Sequence, residues 1–145
     1  MSSKAHSGRA DFKVWRTHST RWADNDSYGH VNNVVYYQWF DSAVNGWLVS
    51  KGLLDIESGD PIALVVETRC TYWEPLAFPA DVEVGLAIEH LGRSSMRYRI
   101  GIFAVGASEA AAEGHFVHVM VDRATRRPVS IPDHCRAALE TIRAA

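Results

Sequence analysis

Two carboxylates, an imidazole and three side-chain amides fall within the run Arg21-Trp22-Ala23-Asp24-Asn25-Asp26-Ser27-Tyr28-Gly29-His30-Val31-Asn32-Asn33, with a turn glycine among them and a long apolar stretch directly after. A carboxylate beside a helix start stands next to backbone N–H groups that have no partner inside the helix. The pair offers a base for water and donors for a developing oxyanion, the two needs of hydrolysis at an acyl ester or thioester. Capping competes for the same residues, because Asp and Asn close turns and helix ends routinely, at about 1 kcal/mol per cap. One or two caps do not require so many polar groups at one turn, so the run reads as a candidate site. A calcium loop would use Asp24, Asp26 and Gly29 as positions 1, 3 and 6, but it puts Val35 at position 12, where a bidentate Glu is needed.

The elements that must position this run follow from periodicity. From Asn33 to about Ser50 the polar residues Gln38, Asp41, Ser42 and Asn45 make one narrow stripe at helical spacing, and the rest is mostly Val, Tyr, Trp, Phe, Ala and Leu. A helix apolar over most of its circumference must be wrapped, and at 1.5 Å per residue it runs roughly 27 Å, about the length of a small sheet's strands. Lys51-Gly52 marks its end. Phe12–His18 alternates in part and reads as a first strand, and Ile62–Trp73 as a long one closed by Glu74-Pro75. Val82, Val84, Leu86 and Ile88 alternate with Glu83, Gly85, Ala87 and Glu89, which predicts a strand buried on one face. Met96–Ile102 and Ala111–Asp122 supply two more, and Pro132 opens a short amphipathic helix with Ala137, Leu139 and Ile142 facing inward. One helix followed by consecutive strands predicts an α+β domain, an antiparallel sheet curled around the helix, spanning 1–145 with residues 1–10 flexible.

At 145 residues and a net charge of -2, the chain has one domain's worth of core and no excess of positive charge for nucleic acid or anionic membrane. Met1–Asp11 lacks the apolar run of a secretory signal, and no window reaches the roughly 18 apolar residues of a membrane span. Cys70 and Cys135 lack metal-type spacing and suit a reducing compartment. The expectation is a cytoplasmic protein. His115 and His118, three apart on a strand, face opposite sides and share no metal.

The run from Asp24 to Asn33 resembles the Asp-x-Asp-x-x-Gly-His-Val-Asn-Asn signature of hotdog-fold acyl-CoA thioesterases, the 4-hydroxybenzoyl-CoA thioesterase-like family, and is similar to the catalytic segment of acyl-carrier-protein thioesterases. The resemblance extends through the helix, Tyr72-Trp73-Glu74-Pro75, the alternating strands and the turn before Ile131-Pro132. It implies a hotdog fold, a homodimer often paired into a tetramer, acyl groups held at the subunit interface, and hydrolysis without metal or redox cofactor. It points to Asp26 as general base or nucleophile, with Asp24 structural and the backbone amides of Asn32, Asn33 and Val34 polarising the carbonyl. In the acyl-carrier-protein enzymes the histidine matching His30 is catalytic and lies two positions beyond an asparagine; Tyr28 takes that asparagine's place here, so His30 either joins the chemistry or only fixes the loop. Glu67 stands where related enzymes often place an acid and is a candidate for positioning water, a solvated strand face being the alternative.

Arg93-Ser94-Ser95, with Arg97 and Arg99, makes a basic, hydroxyl-bearing turn suited to coenzyme A phosphates, and Arg123, Arg126 and Arg127 make a second basic cluster. The substrate expected is an acyl-CoA or an acyl carrier protein. A non-catalytic acyl-thioester binding protein and a hotdog hydratase or dehydratase remain the alternatives.

Overall fold

A computed structural model describes residues 7–144. Strands β1 (Val14–Ser19), β2 (Ile62–Tyr72), β3 (Asp81–Leu91), β4 (Ser95–Ala104) and β5 (Ala112–Val121) form one sheet in the order β1-β3-β4-β5-β2, with every neighbouring pair antiparallel. Helix α1 (Asn33–Ser50) lies in the concave face, and α2 (Asp133–Glu140) closes one end. This is the α+β hotdog arrangement that the periodicities and the resemblance predict.

Helix α1 has the predicted limits because both ends carry their own stops. The Asn32 side chain accepts the Val34 N–H at 3.0 Å, and Gly52 after the C-cap takes φ +68°, a conformation costly for other residues. Tyr36, Trp39, Phe40, Ala43, Val44, Trp47 and Leu48 are buried against Val82, Val84, Leu86, Ile88, Tyr98, Ile100, Ile102 and Phe116 of the sheet. Each large apolar side chain so removed from water contributes about 1.5–3 kcal/mol.

Two expectations on burial need correction. At the start of the described residues the Arg9 side chain donates to the Ala107 carbonyl at 2.6 Å and to Glu83 at 2.7 Å, and Phe12 is buried beside Phe103 and Ala110. Residues 1–6 of the segment expected to be flexible lie outside the described residues. The second face of β3 is covered as well, with Gly85 and Ala87 buried, because the Phe12 ring lies on it; a Cβ at Gly85 or Gly101 would come 2.8 Å and 2.6 Å from that ring system. A stretch expected as one-face-buried is therefore buried on both faces where the N-terminal segment crosses. In α2, Leu139 is buried, as is Ile142 just beyond it, but Ala137 is exposed and Cys135 takes the inward position.

Candidate active site

The loop between β1 and α1 is pinched shut. Asn32 N–H donates to the Asp24 carbonyl at 2.8 Å, Asn25 bridges Val31, and Asp26 N–H donates to the His30 carbonyl at 2.7 Å. Gly29 takes φ +79°, which lets the chain reverse within the tip. The loop is anchored to the segment before β3: Val31 N–H reaches the Leu76 carbonyl at 2.7 Å and Phe78 N–H the Asn25 side chain at 3.1 Å.

Asp24 is the buried carboxylate of the pair. It is 2 % exposed, and accepts from the Arg21 guanidinium at 2.8 Å and from Arg21 N–H at 2.8 Å. Asp26 is half-buried and differently placed. Its Oδ1 accepts the Tyr28 N–H at 2.8 Å and the His30 N–H at 3.3 Å, while its Oδ2 makes no hydrogen bond with the described residues. One oxygen is clamped and the other left open, which suits a carboxylate that must accept a proton or attack a carbon. His30 holds Asp26 through its main chain, and its imidazole, on an exposed residue, makes no hydrogen bond or ion pair with the described residues.

The first turn of α1 has fewer open donors than the sequence suggests. Asn32 N–H is spent on Asp24 and Val34 N–H on the Asn32 cap, which leaves the Asn33 N–H without an acceptor among the described residues. The Tyr72 hydroxyl donates to the Asn33 carbonyl at 2.9 Å and ties the end of β2 to this turn. Tyr72 stands edge-on to Tyr36 at 4.9 Å. Burial pushes the Tyr36 phenol up to about 12 and the Cys70 thiol up to about 11, which favours the protonated form of both at neutral pH. Strand alternation from Cys70, which packs against the core, sets Tyr72 on the helix-facing side.

Two of the expected site groups lie elsewhere. Glu67 is on the sheet face away from α1, with its carboxylate 3.8 Å from Arg97 and 3.6 Å from His115. The cause is a β-bulge: Val65 pairs with inward-facing His118, Val66 is the extra residue, and Glu67 pairs with Val117 on the outer face. Without that inserted residue Glu67 would share the face of Val65. Arg93 and Ser94 lie in the turn from β3 to β4 and Ser95 opens β4, at the opposite end of the strands from Asp26, which is about 30 Å at roughly 3.3 Å per residue. There the Ser94 carbonyl accepts Met120 N–H and the Arg93 carbonyl accepts Ile131 N–H, so the turn's main chain holds the sheet to the segment before α2. In the other basic cluster, Arg123 is absorbed by the carbonyls of Gly59 and Ile56.

The surface around Asp26 is apolar and uncovered: Trp22 is 76 % exposed, Tyr28 85 % and Val34 59 %, and Trp22 packs edge-on against Phe78. Three cavities among the described residues are lined by other side chains. Among the described residues no group of three or more His, Cys, Asp or Glu is placed to hold a metal ion, and no helix is long and apolar enough to cross a membrane.

The Thioesterase-like superfamily matches residues 20–139, from the start of the pinched loop to α2. The chain belongs to this superfamily. The solved structure of the PA5185 protein from Pseudomonas aeruginosa is similar over 97 % of this chain and 98 % of its own, with 47 % identity and a TM-score of 0.93. PA2801 of the same organism, provisionally assigned as a thioesterase, is 34 % identical over 86 % of this chain and 95 % of its own, with a TM-score of 0.80. Slr0204 from Synechocystis, a 1,4-dihydroxy-2-naphthoyl-CoA thioesterase, shares the fold at 20 % identity and a TM-score of 0.79, over 86 % of this chain and 93 % of its own. No curated protein matches the chain in sequence. Membership of this superfamily, with neighbours such as PA2801, supports thioesterase activity.

Proposed function

We propose that the protein hydrolyses an acyl-CoA thioester to a carboxylic acid and free coenzyme A, with Asp26 as the catalytic carboxylate. The observation that carries this is the division of labour within Asp26: Oδ1 is fixed by two loop amides, and Oδ2 is unengaged in a loop tied to the start of α1. As general base, Asp26 takes a proton from water, the hydroxide adds to the thioester carbonyl carbon, the C–S bond breaks, and the proton passes to the departing thiolate. As nucleophile, Oδ2 adds to the same carbon, expels the thiolate, and forms an anhydride that water then opens. In either route the Asn33 N–H, at the positive end of the helix dipole, stabilises the oxyanion.

The working unit in this proposal is a homodimer. Strand β2 bonds only β5, so its outer edge is open, and Val65 and Val66 along it are 47 % and 60 % exposed. A two-fold axis through that edge brings the Ile62 end of one β2 beside the Tyr72 end of the other and covers the apolar surface near Asp26. A coenzyme A nucleotide reaching across such a pair could meet Arg93, Ser94 and Ser95 of a neighbouring copy, though not of the same one.

The test is release of free thiol from a panel of short, long and aromatic acyl-CoA substrates. Asp26→Asn keeps an oxygen for the Tyr28 and His30 amides, so the loop persists while the base is lost; turnover should fall by about 10²–10⁴. Equal rates in the two proteins, or no turnover by the native protein across the panel, would end this assignment.

A further inference from the structure

A slot of about 240 Å³ opens between β1, the edge strand farthest from β2, and the last turns of α1. Its walls are apolar, with Val14 and Leu86 from the sheet and Ala43 and Trp47 from the helix. Its two charged lining residues are Arg16 and Lys51, and no carboxylate lines it. Neither cation's side chain makes a hydrogen bond or ion pair with the described residues.

The Arg16 guanidinium rests on the helix at Gly46. A Cβ at Gly46 would stand 2.7 Å from Arg16 Cζ and 2.9 Å from Nε, so the guanidinium lies against bare helix backbone that any other residue would cover. Trp47 adds a second polar group without a partner: the residue is 4 % exposed and its indole N–H has no acceptor. An apolar slot under two uncompensated cations complements a ligand with one anionic head and an apolar tail. A dry cavity of about 150 Å³ already holds benzene, so this slot has room for a ring or a short alkyl chain.

We propose that the slot between β1 and α1 binds a monocarboxylate with an apolar tail, its carboxylate on Arg16 and Lys51 and its tail against Val14, Ala43 and Leu86. The site is distinct from that of Asp26, because the two lie at opposite ends of α1, about 20 Å apart at 1.5 Å per residue. Such a carboxylate is the class of product that the proposed hydrolysis releases, yet binding here does not depend on that reaction.

The test is calorimetric binding of octanoate to the intact protein, beside 1-octanol and octylammonium as neutral and cationic versions of the same tail. Octanoate binds and the other two bind at least about tenfold more weakly; Arg16→Gln and Lys51→Gln each weaken octanoate at least about tenfold, the scale of one hydrogen bond to a charged group. Ala43→Leu, which fills the slot, removes the binding; the two Gln variants sit on the surface and keep the test valid if that core variant fails to fold. The Arg16-dependent binding persists in Asp26→Asn, and Arg16→Gln hydrolyses acyl-CoA at the native rate, so failure of the hydrolase reading leaves this one standing. Absence of octanoate binding overturns the proposal. Equal affinity for octanol does so too, as does binding that survives both Gln substitutions and vanishes with Asp26→Asn.

Discussion

His118 gives the fold a dependence on pH that can be worked from the structure. It is 1 % exposed on the helix-facing side of β5, edge-on to Phe116 at 4.9 Å and Tyr98 at 5.8 Å, and its Nδ1 has no hydrogen-bond partner. Burial lowers its pKa from 6.5 to about 4. Between those values the unfolded chain binds a proton that the folded chain refuses, so stability is full above pH 6.5 and falls as pH falls towards 4. For these two pKa values the loss between pH 7 and pH 5 is about 2 kcal/mol, approaching about 3 kcal/mol below pH 4. That is a substantial part of a typical 5–15 kcal/mol. The assay is urea unfolding at pH 7 and pH 5 for the native protein and for His118→Met, which fills similar space without titrating. Burial and Arg16 lower the pKa of His18 too, so the native protein's whole pH dependence is not His118's; subtracting the variant's isolates it. The native protein should lose about 2 kcal/mol more than His118→Met between the two pH values. Parallel losses would refute a neutral, unpartnered imidazole in the core.

Three further outcomes follow from the site and its supports. Asn32→Ala removes the cap on Val34 and should cost about 1 kcal/mol in thermal or urea unfolding, and it should also lower kcat by loosening the turn that presents the Asn33 N–H. Gly101→Ala puts a methyl 2.6 Å from the Phe12 ring, and should destabilise by about 1–3 kcal/mol with the Phe12 segment released to proteolysis. Val66→Lys places a charge on the open edge of β2 and should convert the proposed dimer to a monomer in sedimentation, with hydrolysis lost in step; a monomeric native protein would remove the premise.

The order of elements, the limits of α1 and the polar loop before it were legible in the chain, because each is written in a short window. Asn32 caps, Lys51-Gly52 stops, and period-2 runs set β3, β4 and β5. The resemblance separates Asp24 from Asp26, and in the pinched loop the two differ in their bonding: one carboxylate is engaged by Arg21, the other has an oxygen to spare. What tertiary structure decided depends on partners far away in sequence. A single inserted residue, Val66, turns Glu67 from the helix side to the outer face, since side-chain direction follows ladder register. Phe12 settles over Gly85 and Gly101, so glycines that read as neutral positions in strands are contact surfaces. The number of open amides at the start of α1 came out smaller because the Asn32 side chain and the Asp24 carbonyl consume two of them. Local patterns fix what each segment is; only packing between segments decides which face a side chain meets and which polar atoms are left over for chemistry.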